Sequence, residues 1–245
     1  EASSVDADLL IKLARQFDEP IIDSSMIPMF MISELVQKHC KVVLGGDGGD
    51  ELFGGYEHYS RVLWMNKYCK FMPMLFKKSV SLLSEKTLPT GMKGKNWLQS
   101  LKYDLRNEVP FIANYFDPTT RKKLMQSSFS NWEIVAEEIF KSRSPHDKDL
   151  IQRLTRMDFQ NYLSEDILVK VDRASMLNSL EIRAPFLDKN LIEFAFEKVP
   201  SNLKATENNK KVLLKNLTNE ILPVSFDNNR KQGFSIPINE WLKKG

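Results

Sequence analysis

The stretch Leu44-Gly45-Gly46-Asp47-Gly48-Gly49-Asp50-Glu51-Leu52-Phe53-Gly54-Gly55-Tyr56 holds six of the ten glycines in a chain of 245 residues. It follows Val42-Val43-Leu44, a short apolar run that reads as a buried parallel strand. Glycine permits positive φ and close approach to the backbone. A strand ending in such a loop presents free backbone N–H groups, which suit phosphate oxygens. Asp47, Asp50 and Glu51 would repel a phosphate unless a cation stood between them. Carboxylates facing a phosphate therefore imply Mg²⁺, a hard ion that takes one or two carboxylates together with phosphate oxygens. The loop reads as a place for a metal–polyphosphate pair at the carboxyl end of a strand, where open α/β sheets bind ligands.

Familiar glycine motifs do not fit. A Walker A loop needs Gly-Lys-Ser/Thr, but Gly55-Tyr56 follows Gly54. The dinucleotide pattern breaks because Glu51 occupies the position of its last glycine. The EF-hand pattern breaks because Gly49 stands where its second acidic ligand belongs. A plain surface turn seldom needs so many glycines directly after an apolar run.

The rest of the chain reads as mostly helical. Ser3-Ser4-Val5-Asp6 resembles a capping box before Leu9, Leu10, Leu13 and Phe17, with Asp18-Glu19-Pro20 as the stop. Asp23-Ser24-Ser25 precedes a second helix that carries Pro28, Phe30, Met31, Leu35 and Val36 and runs to Cys40. Beyond Tyr56, Pro73, Pro89 and Pro110 punctuate helices, and 90–96 reads as an exposed loop. Asp117-Pro118 reads as a helix start, Asp147 as the cap of a helix to Leu163, and Ser164 as the cap of the next. Leu191, Phe194 and Ala195 share one apolar face of a helix ending near Pro200. One strand among so many helices is a poor complete α/β domain: either this is a helical protein with one strand, or most of the sheet lies upstream of residue 1. The start at Glu1 and the stop at Gly245 read as the bounds of a piece of something longer.

Composition narrows the class. Hydrophobic content of 42% with 27% charged residues fits an ordinary globular protein. No stretch approaches the ~18–20 apolar residues of a membrane span, and no leader with a cleavage site is visible. A net charge of +3 with dispersed Lys and Arg argues against nucleic acid as a partner. Cys40 and Cys69 do not make a disulfide framework and read as reduced thiols in the cytoplasm. His39, His58 and His146 are scattered and form no zinc pattern. Trp64, Met65, Tyr68 and Phe71 read as core and Cys69 as a small buried hydrophobe. The Lys-rich 93–95 and 204–215 stretches read as solvated faces.

A second informative stretch runs from Tyr162 to Asp188. Asp166, Lys170 and Arg173 are spaced for one face of a helix, while Ile167, Leu168, Val171 and Ala174 can pack on the other. An Arg there could neutralise charge on a phosphoryl group, although an i, i+4 ion-pair ladder fits the same spacing. Glu181, Arg183 and Asp188 flank Ala184-Pro185-Phe186-Leu187, where a structural salt bridge is the better expectation.

Together, GDGGDELFGGY (46–56), KVDRASMLNSLEIRAPFLD (170–188) and RKQGFSIP (230–237), with DEPIIDSSMIP (18–28) upstream, resemble the synthetase domain of glutamine-hydrolysing asparagine synthetases. The resemblance implies a predominantly α chain with a short parallel strand, the C-terminal part of an α/β adenine-nucleotide-hydrolase-like (PP-loop ATPase) synthetase domain spanning 1–245. It implies that ATP activates the side-chain carboxylate of aspartate as an acyl-adenylate with release of pyrophosphate. Ammonia, made from glutamine in a separate N-terminal glutaminase domain, then attacks to give asparagine and AMP. Carried over by position, Gly45 and Gly46 contact ATP, and Gly48 and Gly49 belong to the same nucleotide loop. Asp47 is the acid needed around acyl-adenylate formation. Asp50 holds Mg²⁺ with pyrophosphate, and Arg173 stands against the phosphates. Lys231 could reach the site or could belong to a turn that docks the C-terminal helix. The partners implied are aspartate, ATP and ammonia, with room for a homodimer and no membrane.

Two departures stand out. Position 45 is Gly where Ser is usual. The family's Ser-Gly-Gly-x-Asp-Ser pyrophosphate loop is absent, and so is the glutaminase domain with its N-terminal Cys. These residues alone are therefore expected to make no asparagine. Two other readings stay open at this point: a related ATP-dependent amide-forming enzyme, such as a β-lactam synthetase or a sugar-modifying amidotransferase, and a non-catalytic helical interaction module.

Overall fold

The computed structural model describes residues 7–20, 23–89, 91–110, 148–223 and 225–227, with positions 124, 139, 142, 143, 145 and 146. Along the chain run α1 (Ala7–Gln16), α2 (Met26–Val36), β1 (Val42–Leu44), α3 (Gly49–Phe53), α4 (Glu57–Cys69), α5 (Met74–Thr87), α6 (Lys95–Ser100) and α7 (Leu150–Asp158). A π-helical stretch (Phe159–Ile167) leads directly into α8 (Leu168–Met176). Then follow β2 (Glu181–Arg183), a 3₁₀ turn (Pro185–Leu187), α9 (Lys189–Glu197), α10 (Ser201–Lys204) and α11 (Val212–Ile221). The chain divides into two units, one of residues 1–52, 158–198 and 213–245, the other of 53–157 and 199–212. The expected capping box at Ser3 and the helix start at Asp117 lie outside the described residues, as do Asp147 and Lys231.

In the first unit, α8 packs on α2, α1, β2 and the π-helical stretch. Leu13, Ile27, Phe30 and Ala174 form the buried cluster, with Leu9, Phe17 and Leu177 against it. The Asn178 side chain donates to the Phe30 carbonyl at 3.1 Å, tying the end of α8 to α2. Among the described residues the sheet has two strands, β1 and β2, paired in parallel with Val43 opposite Ile182. The expected parallel strand at 42–44 is present, but it is not buried: Val42 is 44% and Leu44 74% exposed. Burial on both faces needs layers on both sides of a parallel sheet, which two three-residue strands do not carry. In α9, Ala195 is buried and Leu191 half-buried as expected, but Phe194 is exposed and Phe196 turns inward in its stead.

Ser164 does not cap a helix. Its hydroxyl donates to the Gln160 carbonyl at 2.8 Å inside the π-helical stretch, which carries the backbone from α7 to α8 without a break. The cap of α7 is Asp149, whose Oδ1 accepts the N–H groups of Ile151 and Gln152 at 3.0 and 3.1 Å.

In the second unit, Tyr59, Val62, Leu150, Ile151, Leu154, Met157 and Ala205 form the core, with Trp97 and Leu105 packed beside it. Trp64, Tyr68 and Phe71 are exposed rather than core, whereas Met65 is buried. Successive residues of α4 point around the helix, and only one face of it meets the core. Cys69 is half-buried, and both cysteines are free. The lysine-rich stretches are not wholly solvated. Lys95 is buried, and Lys204 is fully enclosed. The Lys204 ammonium donates to Gln152 Oε1 at 3.3 Å. Burial, and then the nearby Arg156, lower its pKa to about 7, with Asp149 partly opposing.

Candidate functional site

The glycine–acid loop begins where β1 ends. The Gly45 N–H donates to the Arg183 carbonyl at 2.7 Å, extending the strand pairing by one residue. The chain then bends through Gly48, at φ +88°. The Leu52 N–H donates to the Gly48 carbonyl at 2.9 Å and opens α3. Gly48 and Gly49 are buried beneath the 3₁₀ turn, where a Cβ on Gly49 would stand 3.3 Å from the Phe186 ring. The two sequence blocks that carry the family resemblance therefore pack directly on each other.

The missing side chain at 45 has a local reason. A Cβ there would lie 3.0 Å from both Asp47 Oδ2 and Ile182 Cγ2. Glycine leaves that space to the Asp47 carboxylate. Gly46 differs, since a Cβ on it would meet nothing within 4 Å.

Of the three loop acids, Asp47 and Asp50 are half-buried and Glu51 is 1% exposed. Glu51 is thus enclosed at the start of α3, whereas Asp47 and Asp50 keep part of their surface open. Burial raises the Asp47 pKa, and the charge of Lys170 acts in the opposite direction.

Helix α8 brings Lys170 to this region. Its ammonium forms an ion pair with Asp23 Oδ2 at 2.6 Å, and the side chains are 10% and 19% exposed. The other carboxylate oxygen of Asp23 accepts the Ser25 N–H at 2.8 Å, just before α2. Burial works against the Asp23 charge. The bonds from Lys170 and Ser25 outweigh it, and the carboxyl sits below its ordinary value. Asp166, one helical turn before Lys170, is raised by burial and by the Asp23 charge. Asp166 and Lys170 thus share a face as their spacing suggests, but the pair is not a ladder on a solvated surface. Asp23 was not singled out as a site residue by spacing or composition; its only signal is its place in the upstream block DEPIIDSSMIP.

Arg173 lies further along the same helix, and its guanidinium pairs with Asp18, which is 80% exposed. Glu181 and Arg183 form the expected salt bridge, Nε to Oε1 at 2.7 Å. Asp188 caps α9 instead of joining them, its Oδ1 accepting the N–H groups of Asn190 and Leu191. Among the described residues, no group of three or more His, Cys, Asp or Glu side chains could hold a metal by themselves.

The family model for asparagine synthase matches residues 3–245. This chain belongs to the asparagine synthase family. It is 34% identical over 236 residues to asparagine synthetase [glutamine-hydrolyzing] 1 of Bacillus subtilis, covering 96% of this chain and 37% of that protein. A putative asparagine synthetase [glutamine-hydrolyzing] of Mycobacterium bovis is 33% identical over 231 residues, 93% of this chain and 34% of that protein. A putative asparagine synthetase [glutamine-hydrolyzing] 2 of Methanocaldococcus jannaschii is 30% identical over 181 residues, 73% of this chain and 34% of that protein. This asparagine synthase family chain thus spans about a third of the length of the curated relatives it matches. No solved structure matches it.

Proposed function

We propose that this chain is part of the synthetase domain of an ATP- and Mg²⁺-dependent asparagine synthetase. In this reading the β-carboxylate of aspartate attacks the α-phosphorus of ATP, forming β-aspartyl-AMP and releasing pyrophosphate. Ammonia derived from glutamine then attacks the acyl carbon, and AMP leaves as asparagine forms. The backbone of Gly45, Gly46, Gly48 and Gly49 receives the nucleotide phosphates at the end of β1. Asp47 acts around acyl-adenylate formation, and Arg173 supplies positive charge against the phosphates. The two short strands are the edge of a larger α/β adenine-nucleotide-hydrolase-like sheet, and the enzyme works in the cytoplasm with an N-terminal glutaminase domain.

The residues present fit a Mg²⁺ bound through its substrate. Asp47 and Asp50 offer two half-buried carboxylates on one loop, and Mg²⁺ in nucleotide sites takes one or two, with phosphate oxygens completing its shell. Asp50 is the assigned ligand. When bound, the ion offsets charge on the departing pyrophosphate.

The observation that carries the reading is the direct packing of the Gly48-Gly49 bend beneath Phe186 and Leu187, which joins the two family blocks around Asp47. An alternative acceptor carboxylate would leave that packing unchanged, and the relatives' names favour aspartate. The test is aspartate-dependent ATP–pyrophosphate exchange in the full-length protein. Asp50→Asn is expected to abolish exchange and leave glutamine hydrolysis intact; full synthesis by Asp50→Asn would overturn the metal assignment. The 245 residues alone are expected to release no AMP with glutamine and aspartate.

A further inference from the structure

Helix α5 turns a small polar side inward and an apolar side to solvent. Ser81 and Ser84 are buried. The Ser81 hydroxyl donates to the Gln99 carbonyl of α6 at 3.0 Å, and the Ser84 hydroxyl to the Ser81 carbonyl at 2.7 Å. Leu75, Phe76, Leu82 and Leu83 fall at i, i+1, i+7 and i+8, one side of a helix. All four are exposed, Leu75 at 82%, and Phe71 just before the helix is 85% exposed. A surface helix ordinarily does the reverse. An exposed apolar stripe of this kind marks a binding surface.

The charge around that stripe narrows what can cover it. Cations are dispersed along the whole chain, but acids are not. Residues 61–106 hold ten Lys and Arg and only two acids, Glu85 and Asp104. The chain totals +3, so everything outside this segment is net acidic. Lys78 and Lys86 are exposed, each three or four residues from a leucine of the stripe. Lys70, also exposed, lies over the Phe71 ring at 4.8 Å. A second copy of this chain would bring like charges together across a two-fold interface. Nucleic acid would take up the charge and leave the leucines in water. An anionic bilayer satisfies both, with phosphates for the ammonium groups and acyl chains for Leu and Phe.

We propose that α5 seats the second unit on the surface of an anionic membrane, with Leu75, Phe76, Leu82 and Leu83 at the boundary of headgroups and acyl chains and Lys70, Lys78 and Lys86 at the lipid phosphates. The helix lies in the plane of the interface. Its 14 residues are too few to span a bilayer, and among the described residues no helix is long and apolar enough to cross one. The contact is therefore peripheral, where the family resemblance implies no membrane partner at all. None of these residues takes part in the adenylation reading above.

The test is co-sedimentation of the full-length protein with vesicles, one set of equimolar phosphatidylglycerol and phosphatidylcholine, the other of phosphatidylcholine alone. Wild type is expected to pellet with the anionic set at low salt and to stay in solution with the neutral one. Leu82→Gln/Leu83→Gln is expected to lower the partition coefficient at least tenfold, and Lys78→Gln/Lys86→Gln roughly tenfold. All four side chains are exposed, so both variants are expected to keep the urea midpoint and the aspartate-dependent ATP–pyrophosphate exchange of the wild type. Should the leucine variant unfold, Leu75→Gln takes its place. A wild type that ignores anionic vesicles, or binds neutral ones equally, overturns the proposal. Undiminished binding by the leucine variant overturns it too, because the contact would then be charge alone. A wild-type dimer that Leu82→Gln/Leu83→Gln dissociates, with no vesicle binding, gives the face to a second copy instead and overturns it. A wild type without aspartate-dependent exchange would overturn the functional reading and leave the membrane face standing.

Discussion

Leu187 occupies the space that a side chain on Gly48 would need. A Cβ built on Gly48 would lie 2.5 Å from Leu187 Cδ2, and the residue has φ +88°. Steric room and backbone conformation both demand glycine there. Gly48→Ala is therefore expected to destabilise the protein by about 1–3 kcal/mol, measured as a lowered urea midpoint. Gly46→Ala, with open space around it, is expected to leave that midpoint in place. It is still expected to weaken ATP binding if Gly46 contacts the nucleotide. A loss of stability in Gly46→Ala matching that in Gly48→Ala would contradict this division.

Lys204 makes stability depend on pH. Its folded pKa of about 7 lies below the ordinary 10.5, so between these values the unfolded chain holds a proton that the folded one has released. Stability therefore rises with pH across that window, by up to about 1.4 kcal/mol per unit. Below pH ~7 the folded protein bears the full cost of a charged, enclosed ammonium. Urea unfolding of the full-length protein from pH 6 to 10 is expected to show this rise, and Lys204→Met to flatten it.

Arg173 is poised differently from Lys170, because its partner Asp18 is largely exposed. An exposed pair contributes little to stability, so the guanidinium can leave it for a phosphate at small cost. Arg173→Ala is expected to reduce synthesis on the order of 10²-fold, with Arg173→Lys milder. Asp18→Asn is expected to leave both rate and stability near wild type. Equal damage from Ala and Lys at 173 would point to a bidentate structural role.

Asp188 tests the cap of α9. Its carboxylate accepts the backbone N–H groups of Asn190 and Leu191 at 2.9 and 3.3 Å. Asp188→Ala is expected to cost about 1 kcal/mol in unfolding experiments, whereas Asp188→Asn, which keeps an acceptor oxygen, is expected to cost much less.

Much of the site was legible because its constraints are local. Glycines at 45–49, after a β-branched run, mark a bend with close backbone approach, and the bend is there. The spacing of Asp166 and Lys170 placed them on one face correctly. Partners distant in sequence were not legible. Nothing in the neighbourhood of Asp23 reveals that Lys170, 147 positions away, will pair with it. The strand at 181–183 was missed because Glu181-Ile182-Arg183 is too short and too charged to display a period. Lys95 and Lys204 read as solvated because charge ordinarily means exposure. The cap of α7 at Asp149 was not singled out, because the sequence offers two aspartates within three residues and only the start of the helix at Leu150 selects between turn and cap.

The π-helical stretch before α8 has a consequence for how this sequence tolerates change in length. Wide turns hold more residues per revolution than α-turns do. Removing one residue between Phe159 and Ile167 can thus be absorbed by tightening to an α-turn, with Lys170 still directed at Asp23. The same deletion inside α8 has no such slack. It would swing every later side chain by about 100° around the axis. Single-residue gaps in this region are accordingly expected to cluster in the wide turns and to be absent from the nine residues that follow.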